Sequence, residues 1–459
     1  MLDYALILLA SLLAATGIVS TTNINKKGIY LTSSIILITI IIASLFFFLT
    51  TATSYLFNNL FYINPASTLF CLLVSTSLFL INTLAYSHST DYKPFFMLFS
   101  FAASGMFLVV LASSLISIIL GIELMTISTA FLILLEKKSN IESAMKLFLM
   151  SILSIATFTF GIAMLLPFSP NLLLNAFSLN SAFGSGVAIL GVILVISAIA
   201  LEASLFPFNL WVPDVYEGAA SHITAMLAGV NKKVAFIALI YIIFIFLTPF
   251  LAQISLMMAL LATLTMFFGN LVAMMQKNVK RMFAYSSISQ AGYIAVGIAA
   301  ASQYGIAASI FQIFAHSFMI IGAFAIILWL ESKNIKAVED YEGLAGRNKL
   351  ASASLSIFML SMIGIPFTAG FVGKFLLFSS AIFSGMLWLA LLAILNSALS
   401  IYYYMKVIFS MYMKKDKRPL YLNKYISAVV LASIIFIIIF GIYPEPLINA
   451  SLIASSYIL

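Results

Sequence analysis

The chain has 459 residues, of which 63% are hydrophobic and only 8% charged, and its formal net charge is +8. A water-soluble domain carries roughly a quarter charged residues, so a fold with a wholly water-facing surface is excluded; the mean hydropathy of +1.17 says the same. A single cysteine, Cys71, lies in an apolar run. That excludes an intrachain disulfide, a cysteine-ligated iron–sulfur cluster and a paired-thiol redox centre. His88, His222 and His316 are too scattered for a metal site. No Walker A loop, dinucleotide glycine fingerprint or nucleophile elbow occurs. No cofactor is therefore expected in this chain, and nothing points to nucleic acid. Any redox chemistry belongs to other subunits.

Apolar runs repeatedly reach the ~20 residues needed to cross a bilayer, and they do not alternate as barrel strands do. The expected fold class is an all-α polytopic membrane protein. The chain opens Met1-Leu2-Asp3-Tyr4 without a basic leader region or a small-residue cleavage site, so its first run, 4–21, reads as a retained helix. Polar punctuation then places spans at 28–50, 66–86, 94–112, 113–135, 143–166, 183–206 and 222–247. Further spans fall at 251–275, 282–301, 304–331, 352–382, 386–411 and 424–446, about fourteen in all.

Lysine and arginine occupy only every second loop. They are Lys26, Lys27, Lys93, Lys137, Lys138, Lys277, Lys280, Arg281, Lys333, Lys336, Arg347, Lys349 and the cluster from Lys414 to Lys424. The alternate loops carry none. By the positive-inside rule the basic loops face the cytoplasm and both termini lie outside, in a prokaryotic plasma membrane.

Two spans are interrupted by proline, at Leu205-Phe206-Pro207-Phe208 and at Ile363-Gly364-Ile365-Pro366-Phe367. Matching broken helices in two halves of a membrane protein are the mark of a transporter built from repeats, with its sites near the breaks. The expected organisation is three helices in 1–93, inverted five-helix repeats in 94–250 and 251–412, and a closing loop and helix in 413–459.

Ionisable residues at membrane depth carry the functional signal. They are Glu123, Lys146, Glu202, the adjacent Lys232 and Lys233, His316 and Lys374. Each charged side chain costs about 2.5–3.5 kcal/mol at mid-bilayer on insertion scales, so a purely structural protein would not retain several. A proton relay needs such groups. Bland roles compete: Lys146 can pair with Glu142 one turn earlier, and His316 can bond a carbonyl. One of Lys232 and Lys233 is expected at the rim, because neighbours on a helix point about 100° apart.

The stretch from Phe206 to Ala219, FPFNLWVPDVYEGA, resembles the PFHxWxPDVYxGA segment of the N-type antiporter-like subunits of respiratory complex I. Gly269-Asn-Leu-Val-Ala, followed by the run from Gln276 to Tyr293, is similar to that family's longest signature. Gly121-Ile-Glu-Leu-Met, Glu142-Ser-Ala-Met-Lys-Leu-Phe, Glu339-Asp-Tyr-Glu-Gly-Leu and the segment from Gly364 to Lys374 follow in the family's order. The resemblance covers roughly residues 94 to 411. It implies a proton channel with a charged mid-membrane axis, in which Glu123, Lys146, Lys232 and Lys374 match family positions. Two residues depart from it. Glu202 stands where the family has lysine, and His316 is similar instead to the L and M types. With carboxylates at 123 and 202, the pair is expected to share a proton, balanced by Lys146.

The function expected is proton translocation through Glu123, Lys146, Glu202, Lys232, His316 and Lys374, driven by redox chemistry in partner subunits that oxidise NADH, F(420)H(2) or ferredoxin. Expected partners are the other membrane subunits of a complex I-like assembly, further antiporter-like subunits among them, and the lipid bilayer. The alternative is a subunit of a multisubunit cation/proton antiporter or a membrane-bound hydrogenase.

Overall fold

The computed structural model describes residues 25–89, 91–136, 140–169, 171–175, 185–413 and 419–459. The expected first span at 4–21, the lysines at 137 and 138, and positions 414–418 lie outside the described residues. The protein is an all-helical polytopic membrane protein, since ten of its described helices are long and apolar enough to cross a bilayer.

In chain order α1 is Lys26–Leu49, α2 Pro65–His88, α3 Tyr92–Val110, α4 Leu115–Leu135 and α5 Ile141–Leu165. Then come α6 Gly186–Glu202, α7 Trp211–Gly218 and α8, which runs Ser221–Phe246 through two π-helical turns. The second half holds α9 Leu251–Met274, α10 Val279–Ala299, α11 Gln303–Glu331, α12 Lys349–Ile363, α13 Ala369–Phe383, α14 Leu387–Met413, α15 Lys424–Ile442 and α16 Glu445–Ser456. Their starts are written in the sequence. Asn64 and Ser67 form a reciprocal capping box before Pro65, and Ser114, Asn140, Asn278, Ser302, Asn348, Thr368 and Asn423 each accept a backbone N–H at a helix start.

Burial sorts the helices into two shells. The most apolar window of α8 is 94% buried and that of α11 100%, so both are surrounded by protein. Windows of α1, α5 and α15 are only 28–33% buried, and they turn Ile35, Ile42, Leu149, Leu153 and Ile435 outward. A stripe of large apolar residues facing away from the bundle is what lipid contact requires. The helix α10 is too polar to count as a span, yet almost every residue in it is buried. Protein, not lipid, surrounds it.

Helices pack most closely in sequence neighbours: α1 on α2, α3 on α4, α5 on α6 and α9 on α10. Lipid supplies no hydrophobic drive between helices, so small residues that admit close backbone contact matter most. At the α3–α4 crossing a Cβ on Gly121 would lie 2.7 Å from the Gly105 carbonyl oxygen and 2.6 Å from the Val109 side chain.

Both proline interruptions are true breaks. After Glu202 the chain leaves the helix, passes a cis Phe206–Pro207 bond and resumes at Trp211. After Ile363, Gly364 takes a left-handed φ of 96°, and Thr368 caps α13. Two elements were not anticipated. A hairpin pairs Ser54–Leu56 with Phe61–Ile63 and stacks Tyr55 on Tyr62 at 4.2 Å. The helix α16 is too short to register as a span and follows Pro444 directly.

The α3–α4 contact gives a direct stability prediction. Gly121→Val overpacks the crossing and should cost about 1–3 kcal/mol, read as a lower Tm in detergent. Gly186→Ala, where an added Cβ meets nothing within 4 Å, should leave Tm unchanged.

Candidate functional site

The π-helical turn Leu227–Asn231 ends at Lys232, in the middle of the enclosed helix α8. Such turns inside α-helices are frequent at functional positions. Lys232 is 2% exposed and Lys233 fully buried, so the expectation that one of them reaches the rim is corrected. The 100° between them is real, but α8 has protein on every side, so both directions lead inward. The Lys232 ammonium donates to Ser287 Oγ at 3.0 Å and sits 5.4 Å from the centre of the Tyr216 ring. Lys233 Nζ lies 2.6 Å from His316 Nδ1 on α11. The other ring nitrogen of His316 is buried without a hydrogen-bond partner among the described residues.

Lys374 lies on α13 just beyond the second break and is 4% exposed. It donates to the Ile363 carbonyl at 3.0 Å and to Ser397 Oγ at 2.8 Å, and its ammonium stands 4.4 Å from the Tyr293 ring centre. Ile363 is the last residue of α12, so its carbonyl belongs to the negative end of a half-helix, where a cation is favoured.

The helix α10 connects these lysines. Ser287, Gln290 and Tyr293 recur every three residues on one face and cover about 9 Å of helix rise. Ser287 takes the Lys232 bond, and Tyr293 lies under Lys374. Between them Gln290 donates to the Met362 carbonyl at 3.1 Å and accepts from Gln312 Nε2 at 3.1 Å. Gln312 is one turn before His316, whose Nδ1 meets Lys233. The result is a polar seam through an otherwise apolar interior, with its cations held by neutral partners.

The carboxylates stand apart from the expected pairing. Glu202 ends α6, is 6% exposed, and has one buried oxygen without a hydrogen bond, with the Ser154 hydroxyl of α5 beside it. Glu123 is half-buried on α4. Among the described residues no hydrogen bond joins the two; α5 packs against both α4 and α6. Lys146 does not balance Glu202 either. It is 38% exposed and pairs with Glu142 at 2.5 Å and Asp214 at 2.7 Å. One turn into α5, it sits at the basic end of the bundle, not at mid-membrane.

That basic end holds a network that the sequence did not announce. Arg281 bridges Asp214 at 2.9 Å and Glu217 at 2.7 Å, and Asn278 donates to Glu217 at 3.2 Å. Lys280 pairs with Glu331 at 3.2 Å, and Ser221 donates to the same carboxylate. Asp214 and Arg281 are 67 positions apart, so no periodicity could couple them. The only signal was their presence in two of the quoted motifs.

Residues 112–400 match the transmembrane family described as NADH:quinone oxidoreductase/Mrp antiporter. The chain is 34% identical over 394 residues to the F(420)H(2) dehydrogenase subunit N of Methanosarcina mazei, covering 82% of this chain and 80% of that one. It is 36% identical over 367 residues to the NADH-quinone oxidoreductase subunit N of Desulforamulus reducens, covering 78% and 77%. Among solved structures, a chain of respiratory complex I from Thermus thermophilus superposes with a TM-score of 0.83 at 25% identity, covering 98% of this chain and 99% of that one. The chain belongs to the NADH:quinone oxidoreductase/Mrp antiporter family, among the antiporter-like membrane subunits of complex I-like enzymes.

Proposed function

We propose that this chain moves protons across the membrane along Lys232, Lys233, His316 and Lys374, within a complex I-like assembly whose other subunits carry out the redox chemistry. One observation carries the reading: three buried lysines and a buried histidine share a seam in which none has a carboxylate partner among the described residues. Permanently charged, such a group would be a large unfavourable term, because its desolvation is offset only by neutral dipoles. Groups that exchange protons with one another escape it, since protonating one disfavours protonating its neighbour. Lys233 and His316, at 2.6 Å, hold one proton between two nitrogens, which makes them a ready transfer pair.

The two breaks support the inverted-repeat organisation. The first places Glu202 at the C-terminus of α6, and the second places Lys374 against the C-terminal carbonyl of α12, so each proposed half carries one ionisable group at its broken helix. In this reading Glu123 and Glu202 serve the first half, and Lys146 anchors α5 to Asp214 on α7. By name the relatives are N subunits of an F(420)H(2) dehydrogenase and of an NADH-quinone oxidoreductase, and at near-equal identity either donor fits the partner subunits of this chain. The Lys/Arg-bearing end of the bundle faces the cytoplasm in this reading, since the described loops at the other end carry no Lys or Arg.

Two experiments follow. Lys232→Ala and Lys374→Ala should each assemble but cut proton pumping per redox turnover about tenfold, because alanine keeps the helix and removes the proton carrier. Wild-type pumping in both variants contradicts the axis. A cysteine placed in 414–418 should be shielded from impermeant thiol reagents in intact cells, whereas one at Tyr457 should label; the reverse pattern contradicts the orientation.

A further inference from the structure

The segment Gly269-Asn-Leu-Val-Ala supplies none of the ionisable groups of the seam, yet it is built into the same interior. Gly269 and Asn270 lie near the end of α9, which packs along α10. A Cβ on Gly269 would stand 2.5 Å from the Ser289 backbone nitrogen and 2.8 Å from the Tyr285 carbonyl oxygen. Glycine therefore brings the two backbones into contact there. The next side chain, Asn270, is fully buried.

A buried amide must find partners for its N–H and C=O groups. Those of Asn270 come from two other helices. Its Oδ1 accepts from the Tyr403 hydroxyl of α14 at 2.8 Å. Its Nδ2 donates to the Tyr293 hydroxyl of α10 at 3.2 Å and to the Asn396 main-chain carbonyl of α14 at 2.9 Å. Two of these partners lead directly to Lys374. The Tyr293 ring centre stands 4.4 Å from the Lys374 ammonium, and Ser397, the residue after Asn396, accepts from it at 2.8 Å. The Ser397 hydroxyl also donates at 3.2 Å to the Ile363 carbonyl, which is the other acceptor of that ammonium. A second buried asparagine shows the contrast. Asn82 ties α1, α2 and α3 together through Ser33 Oγ at 2.9 Å and the Tyr92 hydroxyl at 3.1 Å, and those partners belong to no part of the seam.

From this we infer that Asn270 is a positioning residue for Lys374: its amide fixes the place of the Tyr293 ring and of Ser397, the two side chains that hold the lysine. The inference rests on the proposed function and adds to it a neutral residue outside the ionisable axis. Both contacts fall off steeply with distance. A ring attracts a cation within about 6 Å of its centroid, and a hydroxyl holds an ammonium at about 3 Å. A small shift of α10 or α14 therefore weakens the hold on Lys374. Neither Tyr293 nor Ser397 carries a charge that would draw it to the lysine by itself. The bonds to Asn270 supply that alignment, joining α9, α10 and α14 at the level of Lys374.

The test uses the whole assembly and reads proton pumping per redox turnover across a range of pH in Asn270→Leu, Ser397→Ala and the double variant. Leucine keeps the volume of Asn270 and removes its amide. Asn270→Leu should pump about fivefold more slowly. Its pH of half-maximal pumping should move by about half a unit, in the same direction as that of Ser397→Ala. The double variant should be no slower than the slower single one, because both changes act on the same contacts of Lys374. Asn82→Leu, which also leaves buried partners unpaired, should lower Tm and keep the wild-type pH profile. If Asn270→Leu does not assemble, Tyr293→Phe keeps the ring, removes the hydroxyl that Asn270 holds, and should show the same displacement of the profile. A wild-type profile in the assembled variant, a shift that Ser397→Ala does not share, or losses that multiply in the double variant overturns the inference. Lys374→Ala measured alongside separates the two readings. If it is slow while Asn270→Leu is normal, only the positioning role falls; if it pumps normally, the proposed function falls.

Discussion

The structure depends on burying lysines that no carboxylate among the described residues answers. A membrane helix that faces lipid can let a lysine reach the interface along its own stem. Lys232 and Lys233 have no such escape, because α8 is enclosed by other helices and they sit ten residues or more from its start. Everything around them follows from that constraint. The face of α10 must be polar, so Ser287, Gln290 and Tyr293 replace the apolar residues a span would use. The helix α11 must bring His316 and Gln312 inward, and α12 must end early so that its terminal carbonyl can hold Lys374.

The outer parts of the fold keep this interior aligned. Lipid-facing helices are tied to it at crossings with glycine, and the short helix α7 is fixed to the N-terminus of α5 by main-chain and side-chain bonds. Asn140 N–H donates to the Gly218 carbonyl at 2.9 Å, and Ser143 Oγ to the Asp214 carbonyl at 3.0 Å. The Lys146–Asp214–Arg281–Glu217 network then spans α5, α7 and α10. These ion pairs are partly exposed, so each adds little to stability alone. Their effect is to fix α7, and with it the Tyr216 ring beneath Lys232.

Much of this was legible in the sequence. Span positions followed from apolar length, helix starts from Asn, Ser and Thr, and both breaks from Pro207 and Pro366 with the residues around them. The buried ionisable residues could be named because charge at membrane depth is rare. What the sequence could not supply was direction and partner. Lys146 looked as deep as Lys232, yet lies one turn from a helix start and pairs at the rim. One of Lys232 and Lys233 was expected at the rim, because enclosure of α8 on all sides depends on helices distant in the sequence. Glu123 and Glu202 were expected to share a proton, but which helix each side chain meets is a matter of packing, not spacing, and no hydrogen bond joins them among the described residues. The hairpin at Ser54–Ile63 and the helix after Pro444 are short, and hydropathy windows sized for spans pass over them.

The central claim is that the buried lysines release and regain protons, as opposed to serving as fixed positive charges. Arginine separates the two, since it keeps the charge but does not deprotonate in proteins. The decisive measurement is redox-coupled proton pumping by the assembled complex carrying Lys232→Arg, with assembly and uncoupled electron transfer as controls. The account predicts a normally assembled complex whose pumping is nearly abolished. Pumping at the wild-type rate with arginine at 232 would show that a fixed charge suffices, and would contradict it.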